Sequence, residues 1–339
     1  MPPAPIRRPL TITTWLVVSI VVLALSPLLL AAAALASAVL RRPQPLLLVR
    51  FAIAYFALEL QVLFRCGVLW LASGFGRRIR SPRFRALHYE LMRTFVCSLA
   101  RRLRTLLEID VSPELTDDAE RALASDRPLL FFSRHAGPGD TLLLVDLLLR
   151  RYQRLPSIVF KDALAIDPCV DLLGHRLPQA ILDTSDREES EDRIEQVAAS
   201  LDPRGILVLF PEGGNFTLER RRRALSKLRR MGRRRDARRA GEMEHVMPPH
   251  PTGALAAMRG SPDADVIFSV HTGLGLAAFP REIWRQTPIG ETLHAHMWLA
   301  PAAEHPAGRE QQIEWLYSWW ARLDQWLEQQ GEEVPAGQS

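Results

Sequence analysis

Two segments set reactive side chains among glycines at the ends of apolar runs. The first reads Phe131-Phe132-Ser133-Arg134-His135-Ala136-Gly137-Pro138-Gly139-Asp140 and leads into Thr141-Leu142-Leu143-Leu144-Val145. A Gly-Pro-Gly turn separates His135 from Asp140 and can fold one side chain back onto the other, with Asp140 at a natural N-cap position. A carboxylate that holds one imidazole nitrogen leaves the other free as a general base near neutral pH. Each residue also has a plain reading, Asp140 as a helix cap and His135 as an ordinary loop histidine. The second segment is the run Gly205–Phe210, which exits into Pro211-Glu212-Gly213-Gly214-Asn215-Phe216-Thr217. Glycines there leave backbone N–H groups accessible, which suits a phosphate or an acyl carbonyl. The plain alternative is a strand exit with Glu212 in solvent.

Such loops need a scaffold, and the flanking pattern predicts one. Short apolar runs at Pro128–Phe132, Ser157–Phe160, Gly205–Phe210 and Asp265–Val270 alternate with stretches long enough for helices. That alternation predicts an α/β fold, a mostly parallel sheet flanked by helices, with its chemistry at the carboxyl ends of strands. Ahead of it, Ala86–Leu107 reads as an amphipathic helix with Leu91, Phe95, Leu99 and Leu103 on one face.

The N-terminus has a different texture. Residues 11–40 carry no charged side chain, and about 20 apolar residues suffice to cross a bilayer. Pro27, near the middle, is expected to kink or break a helix. The length favours a retained anchor over a cleaved signal peptide, although Ala36-Ser37-Ala38 mimics a cleavage site. Residues 46–72 are apolar but contain Arg50, Glu59, Gln61 and Arg65. Arg50, Gln61 and Arg65 share a narrow sector, so an interfacial helix or the return leg of a hairpin is expected over a second span. An arginine cluster at 77–85 favours a cytoplasmic body on a cytoplasmic membrane. Over the 339 residues, the 47% hydrophobic content and net charge of +5 exclude global disorder. Three scattered cysteines, Cys66, Cys97 and Cys169, exclude a disulfide scaffold and show no metal-ligand spacing, so no metal is expected.

Four blocks in order resemble the glycerolipid acyltransferase family, which includes the 1-acylglycerol-3-phosphate and related lysophospholipid acyltransferases. His135 to Asp140 match its His-x4-Asp block. Lys161-Asp162-Ala163-Leu164, with Pro168 and Gly174, resembles the second block, which ends in a short strand near Ile181-Leu182-Asp183. Phe210-Pro211-Glu212-Gly213 match the third, and Met247-Pro248-Pro249-His250-Pro251-Thr252-Gly253 the fourth. The wide gap between the third and fourth blocks resembles the branch that acts on lysophosphatidic acid and lysocardiolipin. The resemblance implies that His135 deprotonates a lysophospholipid hydroxyl, which attacks the thioester of acyl-CoA or an acyl-carrier protein. Asp140 would orient His135, and Gly137, Gly139 and the following helix start would stabilise an oxyanion or phosphate. Lys161, Glu212, Gly213, Gly214, Asn215, Pro249 and Thr252 are the substrate-binding residues it implies. No cofactor beyond the acyl-donor co-substrate is implied. Ser133 as an enzyme-borne nucleophile is disfavoured, because it precedes the histidine by two residues and lacks an elbow motif.

Two positions depart from the family. Gly214 and Asn215 stand where the third block commonly continues Thr-Arg, and Thr184 stands where the second block often ends in Arg. Asn cannot supply a guanidinium for a phosphate. Either nearby arginines substitute or the acceptor head group differs. Residues 218–239 hold eleven arginines and Lys227 against Glu219 and Asp236, so the rest of the chain is slightly acidic. This insert is read as a solvated basic helix or disordered loop, or as a patch for lipid head groups or CoA phosphates. Nucleic acid is not expected, since aromatic interleaving is absent and an anchor leads the chain. The aromatic stripe Trp315, Trp319, Trp320 and Trp326 is expected to pack on the domain, with an interfacial anchor as the alternative.

The expected organisation is an anchor over 1–85, an acyltransferase domain over 86–300 with the insert at 218–245, and an amphipathic helix and tail over 301–339. The partners expected are lysophospholipid and acyl thioester substrates and membrane lipids, with no protein partner identified. Besides the enzyme, the sequence leaves open an inactive lipid-binding homologue and a tethered basic adaptor; an intact His135–Asp140 pair favours the enzyme.

Overall fold

The computed structural model describes residues 4–183, 186–273 and 289–331, without the side chains of Pro138 and Asp140. An apolar helical segment leads into the α/β body. Helix α1 (Ala4–Ala24) and α2 (Ser26–Leu40) divide the charge-free segment just ahead of Pro27. Proline has no N–H for the carbonyl of Leu23, and the Ser26 hydroxyl donates to that carbonyl instead, at 2.8 Å. Arg41, at φ 51°, ends α2 and reverses the chain.

Residues 46–72 pack back against α1 and α2. They belong to one unbroken helix, α3 (Gln44–Ala72), of 29 residues. Helices α1 and α3 are both long and apolar enough to cross a membrane, whereas α2 is shorter. Of the polar interruptions, Arg50, Gln61 and Arg65 are exposed, whereas Glu59 meets tertiary partners. Glu59 is fully buried and accepts a hydrogen bond from the Cys169 amide at 3.2 Å. One turn earlier, Tyr55 donates to Asp167, whose other oxygen caps the helix that carries Cys169.

Helix α4 (Pro82–Leu107) follows, four residues longer at its start than predicted because Pro82 suits the first helical position. Its apolar face, including Leu91, Phe95 and Leu99, packs with Val62, Leu63 and Cys66 of α3. The body then runs β1 (Asp110–Leu115), α5 (Asp117–Ala124), β2 (Leu129–Ser133), α6 (Pro138–Arg150), β3 (Leu155–Lys161), α7 (Pro168–Arg176), β4 (Ala180–Leu182), α8 (Arg187–Ala199), β5 (Gly205–Leu209), α9 (Leu218–Arg230), α10 (Arg234–Glu242), α11 (Pro251–Gly260), β6 (Asp265–His271), β7 (Thr292–Ala300) and α12 (Arg309–Gln329).

The strands form one seven-stranded sheet in the order β1-β7-β6-β2-β5-β3-β4. Every neighbouring pair is parallel except β6 with β7. Each run predicted as a strand is one, the short strand expected near Ile181 is β4, and two further strands, β1 and β7, appear. Of these, β1 contains Pro113 and is partly exposed, as befits an edge strand. The central strands are buried on both faces, which explains their unbroken apolar composition. Leu130, Phe132, Leu207 and Leu209 face α8, α11 and α12, while Leu129, Phe131, Ile206 and Val208 face α5 and α6. Each such side chain contributes about 1.5–3 kcal/mol through burial. Close packing of α8 on α11 requires Gly260, since a Cβ there would sit 2.2 Å from the Glu195 carbonyl.

Candidate active site

Strands β2, β5 and β3 lie side by side and parallel, so their carboxyl ends open in one row. His135 follows β2, Lys161 ends β3, and Pro211–Asn215 follow β5. The fourth block joins them through a bond from the His250 amide to the Pro211 carbonyl, at 2.8 Å. Segments spread over more than a hundred residues thus converge because a parallel sheet gathers its strand exits at one edge.

His135 lies against Phe210, ring centroids 4.6 Å apart, with Thr141 Oγ1 3.5 Å from its Nδ1. Its carbonyl accepts from the Phe216 amide at 3.0 Å, which ties the first loop to the second. Burial lowers the imidazole pKa to about 4, with the neighbouring His271 ring, Arg220 and Lys161 adding to the effect. The ring is therefore neutral at physiological pH and can accept a proton.

Asp140 is not the N-cap expected of it. Gly137 caps α6, and Asp140 is the third residue inside the helix. The helix starts early because Pro138 has its φ preset and needs no amide partner at the first position. The Asp140 side chain lies outside the described residues. The first-turn amides of α6, Gly139 included, have no partner within the helix and face the end where negative charge is stabilised.

Glu212, expected among the substrate contacts or in solvent, is buried, with 2% of its surface exposed. Its Oε1 accepts from Trp320 Nε1 at 3.2 Å and its Oε2 from the His135 amide at 3.4 Å. Burial pushes its carboxyl up to about 8, against the pull of the nearby Arg134 guanidinium and of these bonds. Both oxygens are engaged by the protein, so Glu212 ties Trp320 to the His135 loop. Arg134, also buried, donates to the His271 carbonyl at 2.7 Å.

Gly213 takes φ +68°, a conformation that favours glycine, and turns the chain away from Glu212. Lys161 Nζ donates to the Gly213 carbonyl at 2.9 Å. Arg220, from the first turn of α9, donates to the Asn215 carbonyl at 3.2 Å, and its Nη1 lies 3.2 Å from where a Gly214 Cβ would be. A side chain on Gly214 would crowd that guanidinium. Among the described residues neither Lys161 nor Arg220 has an ion pair, so two uncompensated cations flank the loop beside His135.

Pro249 and Thr252 lie farther along, on a cavity of about 330 Å³ between α8, α9 and α11. Its walls are largely apolar, with Leu182, Ile194, Leu209 and Leu228, and Phe210 links it to His135. Arg187, Lys227 and Arg233 stand at its rim, and the Thr252 hydroxyl accepts from Arg187.

The arginine-rich insert is two ordered helices, α9 and α10, rather than a disordered loop. Its charge is partly neutralised within the protein: Arg235 and Arg239 pair with Glu314 of α12 at 2.6 and 3.5 Å. The tryptophan stripe packs on the domain. Trp319 stacks on Phe268 with centroids 4.4 Å apart, and Trp320 is fully buried. Sequence reasoning missed Arg134, Thr141, His271 and Trp320. The only cue for Arg134 was a lone charge between an apolar run and the histidine.

Residues 114–260 match the family model described as Acyltransferase. That span holds the loops of His135, Lys161, Glu212 and His250, and the fourth block ends within it. Among solved structures, one match is the 1-acyl-sn-glycerophosphate (LPA) acyltransferase PlsC from Thermotoga maritima, 15% identical over 81% of this chain and 98% of that one, with a TM-score of 0.47. A search of curated proteins returned no match. The four sequence blocks, gathered at one sheet edge, lie inside the segment that matches the Acyltransferase family model.

Proposed function

We propose that the protein is a membrane-bound O-acyltransferase that moves an acyl group from acyl-CoA, or from an acyl-carrier protein, to the hydroxyl of a lysophospholipid such as 1-acylglycerol-3-phosphate. The observation that carries this reading is a neutral, half-buried His135 beside two cations, Lys161 and Arg220, that have no ion-pair partner among the described residues. A base of this kind takes the proton of the acceptor hydroxyl as its oxygen attacks the thioester carbonyl. The carbonyl π electrons move onto oxygen, and the first-turn amides of α6 stabilise that oxyanion. Collapse breaks the carbon–sulfur bond, and the departing thiolate recovers the proton from the imidazolium. Asp140 orients the imidazole and stabilises its charged form.

Lys161 and Arg220 hold the acceptor's phosphate. Arg220 thereby supplies, from α9, the charge that Asn215 lacks. The apolar cavity beside Phe210 holds the acyl chain, with Pro249 and Thr252 on its wall. Residues 1–85 act as the anchor and the body faces the cytoplasm. An inactive lipid-binding homologue is the second reading, since Asn215 departs from the family. The test is an assay of membranes bearing wild-type or His135→Ala protein, with labelled acyl-CoA and a panel of lysolipids. Transfer to a phosphomonoester acceptor that disappears in the variant supports the enzyme; equal labelling in both membranes overturns it.

A further inference from the structure

A second cavity, of about 390 Å³, lies between α3 and α4. It shares no lining residue with the cavity beside Phe210 or with the His135 loop. Its α3 wall is a single helical stripe from Arg50 through Ala54 and Ala57 to Gln61, residues spaced by three or four. Its α4 wall repeats the spacing, with Ser98, Arg101, Arg102 and Thr105. The two alanines keep the α3 side shallow, so the helices leave a groove where larger side chains would close it.

Three guanidiniums, those of Arg50, Arg101 and Arg102, border this groove, and among the described residues none has an ion pair or a hydrogen bond. Other arginines of the same helix are neutralised: Arg93 by Glu90 and Arg104 by Asp110. Three unpaired guanidiniums around one cavity match an anion with several oxygens, which accepts from more than one fork at a time. The carrier of that anion is indicated by α3. It is long and apolar enough to cross a membrane, and beyond the groove it exposes Phe64, Val68, Trp70 and Leu71. A ligand whose head meets the arginines and whose tails run along α3 is an amphiphile with a phosphate head.

We propose that the groove between α3 and α4 is a binding site for an anionic membrane phospholipid, whose phosphate is held by Arg50, Arg101 and Arg102. The sector of α3 that carries Arg50 and Gln61 is thus one wall of a lipid site rather than the polar side of an interfacial helix. The lipid binds away from the reacting groups and seats the body against the membrane. The site is independent of the acyl-transfer reading, because it shares no residue with that machinery.

The test uses the full-length protein in nanodiscs or detergent, with native mass spectrometry to count retained phosphatidylglycerol and phosphatidylcholine. Wild-type protein should retain phosphatidylglycerol with a preference on the order of tenfold, as basic residues at an anionic lipid surface provide. Replacing Arg50, Arg101 and Arg102 together by Gln should bring the preference to about unity, whereas Arg77→Gln with Arg78→Gln, outside the groove, should leave it unchanged. Ala57→Trp fills the groove with all three charges intact and should also abolish retention, which separates a built site from general surface charge. A circular dichroism spectrum like that of wild type establishes that each variant is folded. Equal retention of the two lipids by wild type, full retention by either groove variant, or release of the lipid by millimolar inorganic phosphate would overturn the proposal.

Discussion

Trp320, near the middle of the C-terminal helix, donates its indole N–H to Glu212, and the other oxygen of that carboxylate accepts the backbone N–H of His135. One buried carboxylate thus couples α12 to the loop that carries the candidate base. A buried acceptor stripped of its donor costs about 1–3 kcal/mol. Trp320→Phe keeps most of the packing and removes only the donor. It should lower stability by about that amount and reduce kcat with little change in KM. Thermal melts and steady-state kinetics measure the two effects; unchanged values of both would mean that the bond does not position the loop.

Removing the base has a larger consequence. His135→Ala should lower transfer by at least about 10²–10⁴-fold, the range general-base catalysis supplies. Sedimentation with membranes should be unaffected, because α1 and α3 are untouched. Turnover in the purified variant at the wild-type rate would remove His135 from the mechanism.

The pH dependence has a definite sign. With the imidazole near 4 in the folded protein and 6.5 as the ordinary value, stability carries no penalty above 6.5. As pH falls from 6.5 to about 4, the unfolded chain takes up a proton that the folded chain does not, and stability declines. Arg220→Gln removes a repelling cation and should move the acid limb of the kcat/KM profile upward in pH. A downward shift would contradict the placement of Arg220 beside the ring.

The same substitution tests the phosphate role by a different readout. Arg220→Gln and Lys161→Gln should each raise KM for a phosphomonoester acceptor on the order of tenfold, the loss expected for a charge-assisted bond. KM for the acyl donor should change little. An effect confined to the donor would place these cations on CoA instead.

A further contact ties the N-terminal helix to the body. Arg7 and Arg8 of α1 reach the buried Asp171 of α7 at 2.7 and 2.8 Å. Burial pushes the Asp171 carboxyl up, but bonds from His175, Arg8 and Arg7 outweigh it and hold the group well below the usual carboxylate range. Its contribution to stability is therefore present above the ordinary value and lost as pH falls toward the folded one. Asp171→Asn should loosen α1 and destabilise the protein by up to about 3–5 kcal/mol, as breaking a buried pair does. Limited proteolysis at the N-terminus reads the loosening, and an unchanged cleavage rate would count against the latch.

The sequence by itself determined what depends on local order. Apolar runs define β2, β3, β5 and β6, since strands buried on both faces need nearly unbroken hydrophobicity. The charge-free stretch and Pro27 define α1 and α2, and the spacing around His135, Lys161 and Glu212 identifies the loops. Edge strand β1 escaped notice because Pro113 and flanking charges hide it, and β7 because alternate residues are polar. Only the tertiary structure decided where the charges of α3, Glu212 and Arg220 belong. A buried carboxylate such as Glu59 or Glu212 is tolerable only where donors arrive from distant elements, and those donors have no local signature. Arg220 stands five residues beyond the asparagine whose missing charge it supplies in the proposed mechanism; the start of α9, and not the spacing, brings it back to that place.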